Sequence, residues 1–466
     1  MLLLRKLAAV LVFSLGFSGT SHAADEPKPD YAVLVSQKTL ADPAWRRVVE
    51  TLQEKHRGQV LAYVSLAQAR DELAKLFPRY ACFVATPTEA SREFVAEVHR
   101  LTRQLDDDPY TDVIWGILTG YDADNALRIA RYQEPLTIRR VAAGTEVALD
   151  LCEEGVWYCE SQQHRMVQKK RGEAVRQERG PGDTTKALVD ALNAYHADLF
   201  VTSGHATERD WQIGFRYRNG AFVSKAGQLE GVDTAGQRYA INSPNPKVYL
   251  PIGNCLMGHI DGPDAMALAF MNSAGVYQML GYTVPTWFGY GGWGCLDYFV
   301  EQPGRYTFAE AFFANHQALL QRIELDSREA GKGSVAPTAA GAMSDERGLR
   351  YDRDVVAFYG DPAWEARLAP GPLAWDQQLR EQQGRYTFEL VPKLGQETFA
   401  PRNTNGSQRG GRPIFVFLPH RVRQVQVVEG QELRPLITDN FLLIPNPQVC
   451  DPQRVYRVVF RAERSE

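Results

Sequence analysis

Cysteine is scarce, with six in 466 residues, which excludes a small scaffold held together by dense disulfides. Cys152 and Cys159 lie closest in sequence and are the candidate pair for a single bridge. Long hydrophobic runs are also missing: beyond the first residues no stretch reaches eighteen apolar positions, so no integral membrane segment is expected. Charge of one sign is not in excess either. The 52 basic and 56 acidic side chains leave a formal charge of −4, which excludes the strongly basic balance of a nucleic-acid binder.

What is present fits a globular protein of two or three domains, with 44% apolar, 23% charged and 11% aromatic residues. Residues 1–23 place Arg5 and Lys6 before an apolar run from Leu7 to Phe17 and end in Ser21-His22-Ala23, the pattern of a cleaved signal peptide. Export to the periplasm or the extracellular space as a soluble protein is therefore expected. Cleavage removes Arg5 and Lys6 and takes the formal charge to about −6, while the absence of a cysteine at the cleavage point argues against a lipoprotein.

From Tyr31 the pattern alternates between short apolar runs and amphipathic stretches. Strands are expected over Tyr31–Ser36, Val60–Val64, Tyr80–Ala85 and Val113–Leu118, with helices over Ala44–Lys55, Leu66–Leu76 and Ser91–Leu105. Residues 161–180, which include Lys169-Lys170-Arg171 and Arg176, read as a charged surface helix or, alternatively, a processing site. A helix over Thr184–Tyr195 follows, with Asp183 as its N-cap. Phe215–Gly220 reads as an excursion over a site rim, Phe308–Ile323 as an amphipathic helix, and Asp326–Asp354 as a loop. After Gly371 the strand-like stretches Arg385–Val391, Pro413–Leu418, Val422–Val428, Phe441–Ile444 and Arg454–Arg461 suggest a small β-sandwich.

Two apolar runs end in reactive side chains: Asp198-Leu199-Phe200-Val201-Thr202-Ser203-Gly204-His205-Ala206, and Val248-Tyr249-Leu250-Pro251-Ile252-Gly253-Asn254-Cys255. Ligands in open α/β sheets bind at the carboxyl ends of strands, so the two runs propose one shared site. A thiol with a reference pKa near 8.5 is only slightly ionised at neutral pH, and a neighbouring imidazole that takes its proton turns it into a nucleophile. The turns at Gly204 and Gly253 would expose the amides of Ala206 and Cys255 to a developing oxyanion. A helix over Pro263–Met271 starting at Gly262 would further favour a thiolate. The aromatic and glycine-rich stretch Tyr282–Gly294 supplies Trp287 and Trp293 as candidate pocket walls beside Gly204 and Asn254.

A His block followed after fifty residues by a Cys block resembles the caspase and gingipain clan of cysteine peptidases. Three further stretches are more similar to gingipains: Asp106–Gly116, Gly275–Tyr282 and the Phe358-Tyr359-Gly360-Asp361-Pro362 motif, so that the likeness covers about residues 30 to 370. The resemblance implies an α/β fold with a mostly parallel sheet flanked by helices in two subdomains, followed by a β-sandwich. It divides the chain into residues 24–140, 141–370 and 371–466 after the signal peptide. It also implies an endopeptidase acting on protein or peptide substrates through His205 and Cys255, with no organic cofactor. A bound cation, a structural calcium at Asp106-Asp107-Asp108, is compatible with it. An acid orienting His205 would come from Asp150, Glu153 or Glu154. The chain departs from the clan's usual His-Gly and Ala-Cys with His205-Ala206 and Asn254-Cys255. Two alternatives follow: a binding protein that kept the fold and lost the reaction, and a zinc protein using His205, Cys255 and His259.

Overall fold

A computed structural model describes residues 29–330, 345–402 and 408–465. The signal-peptide reading of residues 1–23 and the middle of the loop expected over Asp326–Asp354 lie outside the described residues.

The apolar runs assemble into one twelve-stranded sheet. Its spatial order is Gln59–Tyr63, Tyr31–Ser36, Tyr80–Val84, Ile114–Leu118, Val356–Tyr359, Val276–Tyr282, Lys247–Pro251, Leu199–Thr202, Arg140–Ala143, Glu154–Tyr158, Arg165–Lys169 and Arg176–Arg179. Neighbours run parallel except where Val356–Tyr359 meets Val276–Tyr282 and in the last two pairings. Helices flank the sheet, and its central strands are buried along their whole length, as continuous Val, Ile and Leu runs require in a parallel sheet. The expected mixed α/β architecture is therefore what forms. The helix Leu66–Leu76 has the expected bounds, closed at its start by a capping box between Ser65 and Gln68.

Four segments differ from expectation. Residues 161–180 form a hairpin at the sheet edge, Arg165–Lys169 against Arg176–Arg179, and not a helix. The segment has no apolar stripe to bury, so pairing with the preceding strand satisfies its backbone better than a helix would. The helix expected from Gly262 begins only at Met266, and the aromatic stretch contains a helix, Tyr290–Phe299, that the sequence pattern conceals. The stretch read as a loop is helical at both ends, the preceding helix running over Phe308–Ala330 and another spanning Asp345–Asp352.

Cys152 and Cys159 are not bridged, and all six cysteines are free. The strand Glu154–Tyr158 lies between them; seven residues of largely extended chain span roughly 20 Å, whereas a disulfide needs Cα atoms within about 7 Å.

The strand Val356–Tyr359 joins the two halves of the sheet and ends in Gly360-Asp361-Pro362. Asp361 is buried and accepts hydrogen bonds from Tyr31 Oη (2.9 Å), Lys55 Nζ (3.0 Å) and the Ala363 amide (3.1 Å), with His56 Nε2 at 2.7 Å. The closing strand is thereby fastened to the first strand and to the helix Pro43–His56.

Beyond Gly371, an antiparallel sheet of Trp375–Gln382, Arg385–Pro392, Tyr456–Arg464 and Val422–Glu429 packs on a second of Ile414–Phe417, Phe441–Ile444 and Leu436–Ile437. The second sheet has two apolar faces. Ile414, Leu442 and Ile444 point into the sandwich with Phe388, Val458 and Phe460. The alternate residues Phe415, Phe441 and Leu443 join the core of the α/β unit, where Phe415 and Phe441 pack on Phe313 of the helix Phe308–Ala330.

Candidate functional site

The strands Leu199–Thr202 and Lys247–Pro251 are parallel neighbours, with Leu199 opposite Val248 and Thr202 opposite Pro251. The pairing continues one step further, the Ile252 amide donating to the Thr202 carbonyl at 2.9 Å. Both chains then leave the sheet at the same end. Gly204 turns with φ +93°, a conformation that favours glycine, and presents His205 to solvent. Cys255 emerges half-buried from the neighbouring strand. Both sequence-derived residues thus follow the carboxyl ends of two neighbouring central strands.

Asn254 ties the two turns together. Its side chain is fully buried, Oδ1 accepting from Thr202 Oγ1 at 2.7 Å and Nδ2 donating to the Gly204 carbonyl at 3.1 Å. Because the Thr202 hydroxyl proton is used on Asn254, the contact of 2.9 Å between Tyr249 and Thr202 is a bond donated by the tyrosine. A third segment joins through Thr286, whose hydroxyl donates to the Asn254 carbonyl at 3.1 Å and whose amide donates to Cys255 Sγ at 3.2 Å. Among the described residues, the sulfur's hydrogen-bond partners are in Thr286, and the His205 ring has none. The ring packs at 4.8 Å against Phe215, an exposed aromatic of the excursion.

The Ala206 amide faces away from the hairpin that follows. The short bridge between Ala206 and Trp211 is made by the amides of Thr207 and Gln212, which donate to Asp210 and His205 carbonyls. It leaves the Ala206 N–H unused by that bridge.

Trp287 and Trp293 take different places. Trp287 is 37% exposed and lies 5.1 Å from Tyr351 of the helix Asp345–Asp352. Trp293 is buried within the helix Tyr290–Phe299, where a Cβ added at Gly253 would come within 2.9 Å of its Nε1. It packs against Gly253, two residues before Cys255. The same helix approaches still closer at Gly292, where a Cβ would fall 2.0 Å from the Ile252 carbonyl oxygen. Gly292→Ala is therefore expected to cost about 2 kcal/mol, read as a lower urea midpoint at constant slope.

The three acids considered as orienting groups point elsewhere. Glu153 and Glu154 lie at the start of the strand Glu154–Tyr158, and Asp150 precedes them, while His205 follows the end of a strand running the same way. They are occupied by Arg139, Arg171 and Arg402. Beyond the carboxyl end of that strand lies Glu160, 8% exposed, whose backbone carbonyl accepts the amides of Phe215 and Arg216, Phe215 being the ring packed on His205. Counting to the carboxyl end of the strand would have found it.

The zinc arrangement does not form. Among the described residues His205, Cys255 and His259 do not bring ligand atoms within 4.8 Å of one another. The one such group is Asp106, Asp108 and Asp112, with Asp107 outside it. Burial first, then the charge of Asp106, pushes the Asp112 carboxyl up to about 9. A proton on Asp112 relieves this crowding.

No protein-family model matches the chain, and no curated protein does. Among solved structures the chain is similar to the crystal structure of the Arg-specific cysteine proteinase gingipain R (RGPB), with 12% identity, a TM-score of 0.46, and coverage of 95% of this chain and 99% of that one. It is also similar to the structure of a protease, with 9% identity, a TM-score of 0.38, and coverage of 94% and 98%. Both likenesses are remote. No helix among the described residues is long and apolar enough to cross a membrane.

Proposed function

We propose that this protein is an exported cysteine endopeptidase of gingipain-like type. The observation that carries the reading is the pairing of an exposed imidazole and a free, half-buried thiol at the carboxyl ends of adjacent parallel strands, their turns fastened by one buried side chain. In the proposed reaction His205 takes the thiol proton and the Cys255 sulfur bonds to the peptide carbonyl carbon. The amides of Ala206 and Cys255 hold the resulting oxyanion. The carbon–nitrogen bond then breaks, the departing amine takes the proton from His205, and water hydrolyses the thioester. Catalytic hydrogen bonds are often long in free enzymes and tighten when substrate arrives, so a sulfur resting on Thr286 is compatible with this sequence of steps.

That same contact favours the second reading, a binding protein on this fold, since the sulfur is held by Thr286 and not by the imidazole. Thiol labelling separates the two. The other five cysteines are buried, so iodoacetamide reports on Cys255: a paired thiolate should react fast at pH 6 and much more slowly in His205→Ala, whereas slow labelling indifferent to His205 favours the binding protein. Digestion of a peptide library by wild type and Cys255→Ala gives the direct test. Cleavage that persists in Cys255→Ala would sink the peptidase reading.

A further inference from the structure

The residue before the nucleophile is an asparagine where the clan resembled in sequence usually has alanine, and it carries more bonds than a structural filler needs. Three chain segments far apart in sequence meet on it: the turn before His205, the turn bearing Cys255, and the segment after the strand Val276–Tyr282.

We propose that Asn254 is a positioning residue that sets the imidazole and the sulfur in register by tying the Gly204 carbonyl and the Thr202 hydroxyl to the Cys255 turn. The inference rests on the peptidase reading above and deepens it. Each bond fixes a different coordinate. The Nδ2 donation to Gly204 holds the residue directly before His205, where the left-handed turn would otherwise be free to swing. The Oδ1 acceptance from Thr202 holds the strand end itself, and Tyr249 in turn orders the Thr202 hydroxyl. On the far side, the Asn254 carbonyl receives the Thr286 hydroxyl, which sets the Thr286 amide against Cys255 Sγ. A backbone N–H aimed at sulfur stabilises a thiolate over a thiol. Alanine at 254 would retain the carbonyl and lose both side-chain bonds. The two turns would then be connected only through the strand pairing below them.

Misplacement of a reacting group by about 1 Å can cost on the order of 100-fold in rate. Asn254→Ala in the full chain is therefore expected to lower kcat about 100-fold on a cleaved library peptide while KM stays within about threefold, with cooperative unfolding retained. The rate of Cys255 alkylation by iodoacetamide, followed from pH 5 to 9, should move toward the profile of His205→Ala, a change that lost stability alone would not produce. Thr202→Val should move both quantities the same way by about tenfold. Thr286→Val should slow alkylation at low pH, and Thr286→Ser, which keeps the hydroxyl, should recover it. Wild-type kcat together with a wild-type alkylation profile in Asn254→Ala would overturn the proposal. If that variant does not fold, Thr202→Val and Thr286→Val carry the same two readings. Failure of the dyad itself looks different: the wild-type alkylation profile would then be the same with and without His205.

Discussion

Asp361→Ala should destabilise the protein by about 3 to 5 kcal/mol, the range for breaking a buried charge cluster from one side. The carboxylate is enclosed, and its removal leaves the Tyr31 hydroxyl, the Lys55 ammonium and the His56 ring without their shared acceptor. Lys55 keeps the carbonyls of Ala130 and Tyr132, which limits the loss. Burial by itself would raise the carboxyl pKa, but hydrogen bonding from His56 and the charge of Lys55 outweigh it and hold the group well below the usual carboxylate range. A folded-state pKa below the unfolded value, near 3.9, stabilises the native state above that value, and the contribution is lost as pH falls toward the folded pKa. Urea midpoints from pH 7 to pH 2 should therefore decline in the wild type below about pH 4. The decline should be shallower in Asp361→Ala. Equal slopes in the two proteins would show that the cluster does not couple folding to protons.

His205→Ala is expected to lower peptide turnover by about 10³-fold, or about 4 kcal/mol of barrier, and to leave stability within about 0.5 kcal/mol. The two effects separate because the ring is exposed and the aromatic it packs on, Phe215, is itself exposed. The measurement is kcat/KM on a library-derived peptide beside a thermal melt. Unaltered turnover would remove the imidazole from the mechanism, whereas a large drop in melting temperature would make it a structural residue.

How much of this was legible depended on whether the signal was periodic. Leu66–Leu76 and Phe441–Ile444 have the expected bounds because each carries its own pattern, a 3.6-residue apolar stripe in one and a continuous apolar run in the other. Tyr290–Phe299 was not legible as a helix: all ten residues are buried, so no polar face marks the period, and Gly291, Gly292 and Gly294 lower its intrinsic propensity. Those glycines answer to tertiary contact, as at Gly292 against Ile252. The edge hairpin is hidden for the opposite reason. Its outer strand Arg176–Arg179 is exposed at every position and shows neither period. At the site, His205 and Cys255 stand at the ends of recognisable buried runs, so the sequence proposed them. Thr286 and Glu160 could not be proposed in the same way. Thr286 meets the sulfur through its backbone amide, which leaves no trace in residue spacing, and Glu160 is found only by following the direction of the strand before it.

The sheet that lends one face to the sandwich and the other to the α/β unit has a consequence for how the molecule is made. Phe415, Phe441 and Leu443 complete the larger core, yet the strand Tyr456–Arg464 that helps close their own sandwich follows them in the chain. The α/β unit must wait with an aromatic flank uncovered until residues 415–443 have emerged, so a product cut short near residue 370 would be a sticky intermediate.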